Sequence, residues 1–328
     1  MRHGLPDPAA PMAADVAAAA FGRIFDGAVD DADLAAFLIT LADRGETVTE
    51  IVAAASALRA RQSFAPQAPD AIDVCGTGGD GKHSLNVSTA VALVVAACGV
   101  RVAKHGNRSA SSASGAADVL AALGVPELPV DRLGLCLDSV GITFFHAARH
   151  HPAMARVAPV RRAIGRRTIF NLLGPLANPA GVTRQLVGVF AADRVEIIAE
   201  ALSQLGSDRA MVVHGAGYDE IAVSGTTDFA LADHGVVSTG HIDAADAGVA
   251  VHPESALAGG DAPHNASRLR ALLAGEAGAY HDIVVVNAAA ALRLVDPALG
   301  WHSAADRARS ALASGAAADT LARWSAFR

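Results

Sequence analysis

Asp73-Val74-Cys75-Gly76-Thr77-Gly78-Gly79-Asp80-Gly81-Lys82-His83-Ser84-Leu85-Asn86-Val87-Ser88-Thr89 is the stretch on which the fold turns. The apolar run 71–74 before it reads as a short strand. Ser88-Thr89 opens the apolar run 90–98, which reads as a buried helix. Four glycines fall within six residues, from Gly76 to Gly81. A strand, a glycine-rich turn and a helix start together make an anion site. Glycine lets the backbone approach a phosphate, and the unpaired N–H groups of the first helical turn point at it. The spacing fits neither G-x-x-x-x-G-K-[ST] nor G-x-G-x-x-G. The polar residues Asp80, Asn86, Ser88 and Thr89 suit a sugar phosphate carrying a metal better than phosphate alone.

Working outward, 100–103 reads as a second strand. It runs into the polar loop Lys104-His105-Gly106-Asn107-Arg108-Ser109-Ala110-Ser111-Ser112-Ala113-Ser114-Gly115 and then a helix over 116–123. The same strand, loop and helix order recurs. Lys82 and Lys104 are the only lysines of the chain, and this reading puts both in the two loops. A lysine offers phosphate a compact point charge, whereas arginine offers a planar fork.

The 328 residues suffice for one large or two smaller domains, and a 52% hydrophobic composition supports a sizeable core. With 4% aromatics, a net charge of −7 and no basic run, nucleic acid is not expected as a partner. The apolar runs are too short to span a bilayer, so no membrane association is expected. The N-terminus lacks the pattern of a secretory signal, and a cytoplasmic protein is expected. Cys75, Cys98 and Cys136 are isolated, with no C-x-x-C, which fits a reduced compartment. Cys75 beside the glycine turn reads as a small buried thiol rather than a nucleophile, since no base is placed for it.

The expected fold class is α/β, with a small all-helical N-terminal domain beside a larger α/β domain whose central sheet is mixed and mostly parallel. The helical domain is expected over 1–69, joined by helices from about 152–180, and the α/β domain over 70–328. Residues 1–14, rich in Pro and Ala, read as a mobile lead-in. Thr47-Val48-Thr49-Glu50 is a capping box opening a helix over 51–58. Strands are expected at 185–190 and 209–213, helices at 193–205, 263–275 and 303–327, and a hairpin at 227–237. The apolar 282–294 is either a strand or a buried helix.

Gly76-Thr77-Gly78-Gly79-Asp80, Asn86-Val87-Ser88-Thr89 and Lys104-His105-Gly106-Asn107-Arg108 resemble the signatures of the anthranilate phosphoribosyltransferase family. His151-Pro152-Ala153-Met154, the run from Arg167-Thr168-Ile169-Phe170-Asn171 to Asn178-Pro179, and His214-Gly215-Ala216-Gly217-Tyr218-Asp219-Glu220 do so too, in family order. One such glycine turn is shared with the related pyrimidine-nucleoside phosphorylases; the whole set is far more specific.

The resemblance implies transfer of a phosphoribosyl group from phosphoribosyl pyrophosphate to anthranilate, with Mg²⁺, expected as two ions, and a homodimer formed through the helical domain. It implies that Gly76, Gly79, Asp80, Ser84, Asn86, Val87, Ser88, Thr89, Lys104, Asn107, Arg108, Ser109, Ser111, Ser112 and Ala116 bind phosphoribosyl pyrophosphate. Gly76, His105, Asn107, His151 and Arg161 would meet anthranilate. Asp219, Glu220 and Ser88 would hold the metal; two adjacent carboxylates on a Gly-flanked loop are oxygen donors of the kind Mg²⁺ takes. No catalytic nucleophile is expected. His105, His146, His150 and His151 are not read as a zinc site; the resemblance implies packing or acceptor contacts for them.

The chain departs from the family in one place. His146-Ala147-Ala148 stands where the family has Phe-Ala-Pro, in a segment bordering the acceptor tunnel. That change leaves open a transferase of the same fold acting on another aromatic amine or azole. A pyrimidine-nucleoside phosphorylase fits less well, because phosphorolysis needs no clamp for metal-bound pyrophosphate. A non-catalytic regulatory or nucleic-acid binder is disfavoured by the intact loops and the acidic charge.

Overall fold

A computed structural model describes residues 4–108 and 114–328. The chain opens with α1 (Ala14–Asp26), α2 (Asp31–Arg44) and α3 (Val48–Arg59). There follow β1 (Ile72–Gly76), α4 (Val87–Ala97), β2 (Val102–Gly106), α5 (Ala116–Ala122), α6 (Val130–Val140), β3 (Ile142–His146), the short α7 (Ala147–His150) and α8 (Pro152–Ile164). The remainder is α9 (Leu173–Leu176), β4 (Arg184–Gly188), α10 (Val195–Gln204), β5 (Arg209–Gly215), β6 (Thr227–Asp233), β7 (Val236–Ile242), α11 (Ala262–Leu273), α12 (Ala279–Val295), α13 (Trp301–Ala313) and α14 (Ala316–Ala326).

Among the described residues the strands form one seven-stranded sheet in the order β3-β2-β1-β4-β5-β6-β7. The first five run parallel, and β6 and β7 are antiparallel to their neighbours. Side chains alternate across a strand, and here both faces are covered. Ile72, Val74, Leu186, Met211 and Val213 join the core beneath α4 and α12. Cys75, Val187, Ala210 and Val212 join the opposite core, with α1, α2, α3, α8 and α10. Burial on both faces explains why β1 and β4 read as short apolar runs rather than alternating ones.

The Thr47 capping box forms as expected: Thr47 N donates to Glu50 Oε2 at 2.8 Å, and Glu50 N to Thr47 Oγ1 at 3.3 Å. Glu50 is fully buried and also accepts from Met12 N at 3.0 Å and Arg44 at 2.6 Å. Met12 is thereby anchored, so the end of the segment expected to be mobile is tied down. α8 packs on α1 and α2.

Several expectations needed correction. The second strand starts at Val102 and ends at Gly106, so Lys104 and His105 belong to β2 and not to the loop after it. The apolar 282–294 is helix α12. The expected helix 303–327 divides into α13 and α14 at Gly315, whose φ of 79° no helix continues through. α6 and β3 follow in a segment for which the sequence pattern predicts no separate elements. The hairpin forms, with His234 and Gly235 at φ 46° and 89° in its two-residue turn.

Candidate active site

β1 is the point at which strand order reverses, since β2 lies on one side of it and β4 on the other. In a doubly wound sheet, ligands bind at the carboxyl ends of the strands beside such a point. Gly76 and Gly188 are paired at those ends, and Gly106 is paired with His146 in the neighbouring ladder. The bare glycines have an occupant. A Cβ on Gly76 would press on the Asp219 carboxylate, and one on Gly188 would overlap the Asp219 backbone. The loop after β5 therefore lies across the ends of β1 and β4, and Gly78 N donates to Asp219 Oδ2 at 2.8 Å. Gly78, Gly79 and Gly81 take φ of 64°, 78° and 78°, which explains their number in this turn.

The charge in this cluster is concentrated. Burial under the loops, with the neighbouring Asp80 carboxylate, pushes Asp219 up to about 7. Burial and then Asp219 raise Glu220 well above the usual carboxylate range, against the opposing pull of Lys104. Asp80 Oδ1 accepts from Lys82 N at 3.0 Å, while its buried Oδ2 has no partner among the described residues. Lys82 is engaged elsewhere, with Glu254 at 2.8 Å and over the Tyr218 ring. The cluster is thus an all-oxygen set short of positive charge, which fits a hard divalent cation. Among the described residues no three His, Cys, Asp or Glu side chains form a complete metal cage.

Lys104 lies beneath. Only 1% exposed, it donates to Val74 O at 2.7 Å and Ser88 Oγ at 3.2 Å. Burial lowers its pKa, and Asp73 and Glu220 oppose that shift. Asp73 is fully buried, accepting from His105 N at 3.1 Å and Asn178 Nδ2 at 2.8 Å. Lys104 is therefore a counter-charge built into the sheet, where the sequence suggested a loop lysine. At the start of α4, Asn86 Oδ1 accepts from Asn265 Nδ2 at 2.8 Å and Ser114 Oγ at 3.3 Å. Val87 and Thr89 are buried, and Ser84 is bridged to Ala258. Ala116 begins α5; Arg108 is exposed and pairs with Asp118 at 3.3 Å. Ser109, Ser111 and Ser112 lie outside the described residues.

The histidines sort by environment. His105 and His151 meet edge to face at 5.3 Å. Burial depresses them to about 3 and about 4, so both are neutral at pH 7. Each uses one ring nitrogen on a backbone carbonyl, Gly174 O at 3.1 Å and Ala177 O at 2.8 Å, which leaves the other a bare lone pair. Arg161, on α8, is half-buried, with its guanidinium 5.9 Å from the Phe170 ring centroid. Among the described residues no carboxylate pairs with it, and it makes no hydrogen bond to the groups above. Asp73, Asn178, Asn265 and Arg167 escaped the sequence reading. Arg167 donates to Gly79 O and stacks 4.4 Å from the Phe190 centroid, joining the segment after α8 to the glycine turn. Their only signal was membership of the quoted motifs or, for Asn265, none.

A mixed doubly wound sheet with a helical bundle, a glycine turn and an acidic pair at the switch point define a class of glycosyl transferases. The "Glycosyl transferase family, a/b domain" model matches residues 68–318, and the "Glycosyl transferase family, helical bundle domain" model matches 10–61. The chain is 52% identical over 325 residues to the anthranilate phosphoribosyltransferase of Novosphingobium aromaticivorans, covering 98% of each. It is 51% identical to that of Rhodospirillum rubrum, covering 97% of this chain and 92% of the relative. The crystal structure of the enzyme from Thermus thermophilus superposes with a TM-score of 0.91 at 40% identity, over 97% of this chain and 96% of that one. The Saccharomyces cerevisiae enzyme in complex with PRPP and Mg superposes at 0.86 with 25% identity, over 95% and 92%. The chain belongs to the anthranilate phosphoribosyltransferase family.

Proposed function

We propose that the protein transfers the phosphoribosyl group of phosphoribosyl pyrophosphate to the amine of anthranilate, releasing pyrophosphate, as a Mg²⁺-dependent pentosyltransferase of tryptophan biosynthesis. One observation carries this reading: the Asp219-Glu220 pair lies across paired strand-end glycines, with the Lys104 ammonium buried below. The yeast relative holding PRPP and Mg supports the same ligands here.

In this reading the amides of the glycine turn and the start of α4 receive the phosphates, together with Asn107 and Arg108. Asp219, Glu220 and Ser88 would hold Mg²⁺, as two ions. When bound, the metal supplies positive charge against the pyrophosphate that leaves. The aromatic amine is neutral at pH 7, so no side chain need take a proton before it attacks. Displacement at the anomeric carbon is loose, and the protein contributes position and fixed electrostatics. Arg161, Asn107, His105, His151 and Gly76 would receive the acceptor. A half-buried arginine with no carboxylate partner among the described residues suits an incoming carboxylate. The direct test follows loss of anthranilate fluorescence with purified protein, phosphoribosyl pyrophosphate and Mg²⁺; no loss would overturn the reading.

Arg161→Ala should raise the KM for anthranilate about ten- to a hundred-fold, as expected for one lost charge-assisted pair. The KM for phosphoribosyl pyrophosphate should barely move. Steady-state kinetics in both substrates checks this, and equal effects would make Arg161 structural.

The helical domain is assigned to 1–69 with the helices of 152–180, and the α/β domain to 70–328. A cytoplasmic homodimer through the helical part is proposed, because α1 leaves Val16, Ala18 and Ala19 exposed. Light scattering at micromolar concentration should give twice the 33.1 kDa chain mass; a monomer mass would refute it.

A further inference from the structure

His146 is one of the two residues, with Ala148, at which this chain leaves its family's Phe-Ala-Pro pattern. It ends β3 beside Gly106, one residue before Asn107 in the neighbouring strand. Only 8% exposed, it bridges two side chains. Nε2 is 3.1 Å from Asn107 Oδ1, and Nδ1 is 3.1 Å from Glu127 Oε1. Both partners are acceptors, and because Asn107 Oδ1 can only accept, Nε2 is the nitrogen that donates to it. The Glu127 carboxyl is held below the usual range chiefly by its hydrogen bond to His146. Arg149 Nε holds Glu127 from the other side at 3.2 Å, while Arg149 also donates to Leu128 O at 2.8 Å. The Phe144 ring, at 6.0 Å between centroids, flanks the imidazole.

The consequence falls on Asn107. Its Oδ1 accepts from His146 and also from Arg108 N at 2.9 Å. With the oxygen taken twice, the carboxamide is oriented so that Nδ2 is the end left over, and among the described residues Nδ2 has no hydrogen-bond partner. An amide turned this way donates to a carboxylate; turned by 180°, it would set oxygen against oxygen. The geometry points to His146 as a positioning residue: braced by Glu127, it fixes the orientation of the Asn107 amide and so the preference for an anionic aromatic acceptor. This rests on the reading that Asn107 meets the acceptor.

Two substitutions separate the ends of the ring. Gln places its amide nitrogen near Nε2 of histidine and Asn near Nδ1. His146→Gln should therefore keep the KM for anthranilate within about threefold. His146→Asn and His146→Phe should each raise it roughly ten-fold, the effect of one misoriented hydrogen bond. The KM for phosphoribosyl pyrophosphate should stay within about twofold in all three. Glu127→Ala, at a half-exposed position where folding is not at risk, should raise the anthranilate KM a few-fold and have no effect in the His146→Phe background. Asn107→Ala should itself weaken anthranilate, and adding His146→Asn should change nothing further. If Asn107→Ala leaves anthranilate binding intact, the underlying acceptor reading fails and the proposal with it. If Asn107→Ala weakens binding but His146→Asn adds independently, or His146→Gln fares no better than His146→Asn, the positioning role alone is overturned.

Discussion

A protein carrying Asp219→Asn and Glu220→Gln together is expected to lose roughly three orders of magnitude in turnover, the scale of removing a principal electrostatic stabiliser. It is also expected to melt at a higher temperature than the wild type at pH 8. The sign follows from the proton affinities. Asp219 titrates near 7 in the fold against an ordinary value of 3.8, so the folded state holds a proton that the unfolded chain has released. That contribution to stability is complete below pH 3.8 and is lost as pH rises through 7. Above pH 7 the wild type carries an ionised, buried Asp219 against the neighbouring Asp80 carboxylate, and the amide at 219 removes that repulsion. Melting curves at pH 8 and pH 3.5 should show the variant ahead in the first and level in the second. Mg²⁺ with pyrophosphate should raise the wild-type melting temperature and leave the variant's unchanged. Turnover near the wild-type rate at limiting Mg²⁺ would falsify the metal role, and a lower melting temperature at pH 8 would contradict the charge crowding.

Lys104→Met is expected to cost about 3–5 kcal/mol of stability, the range for removing one partner of a buried ionic group. The methylene stem keeps its packing in methionine, so the loss isolates the ammonium. Without it, Val74 O and Ser88 Oγ lose a donor and Asp73 loses its counter-charge. Adding Asp73→Asn should recover part of the loss, because the uncompensated carboxylate is then gone. Denaturant midpoints of the wild type, the single variant and the pair measure this. A cost below about 1 kcal/mol, the worth of an exposed ion pair, would show that Lys104 is not the counter-charge of the sheet.

How far the sequence could be read depended on what each residue packs against. β1, α4 and β4 announce themselves because their burial is apolar and local. The sequence places Lys104 and His105 in a loop, because polar residues ordinarily end a strand. Here β2 continues through them, and their burial is tolerated only because Asp73, Val74 O and Gly174 O receive their donors. Those partners come from distant segments, and no local pattern carries them. α12 was ambiguous for the opposite reason: buried on every side, it has no polar stripe to set a period. The acidic pair was visible as a motif, but its place over Gly76 and Gly188 was not, since two separate strand ends and one loop have to meet. His146 stood out as a departure from a pattern; that it is clasped between Glu127 and Asn107 emerges only once β3 lies beside β2.

The resting place of Asp219 on Gly76 and Gly188 also has a consequence for the order of events at the ribosome. The glycine turn leaves the exit tunnel early, yet its acidic partner follows 141 residues after Gly78. A nascent chain thus carries the glycine turn for much of its synthesis without the carboxylate that seats on it. Such long-range closure comes late in folding. The site is therefore complete only once the segment that carries Asp219 has been made and has folded back onto β1 and β4.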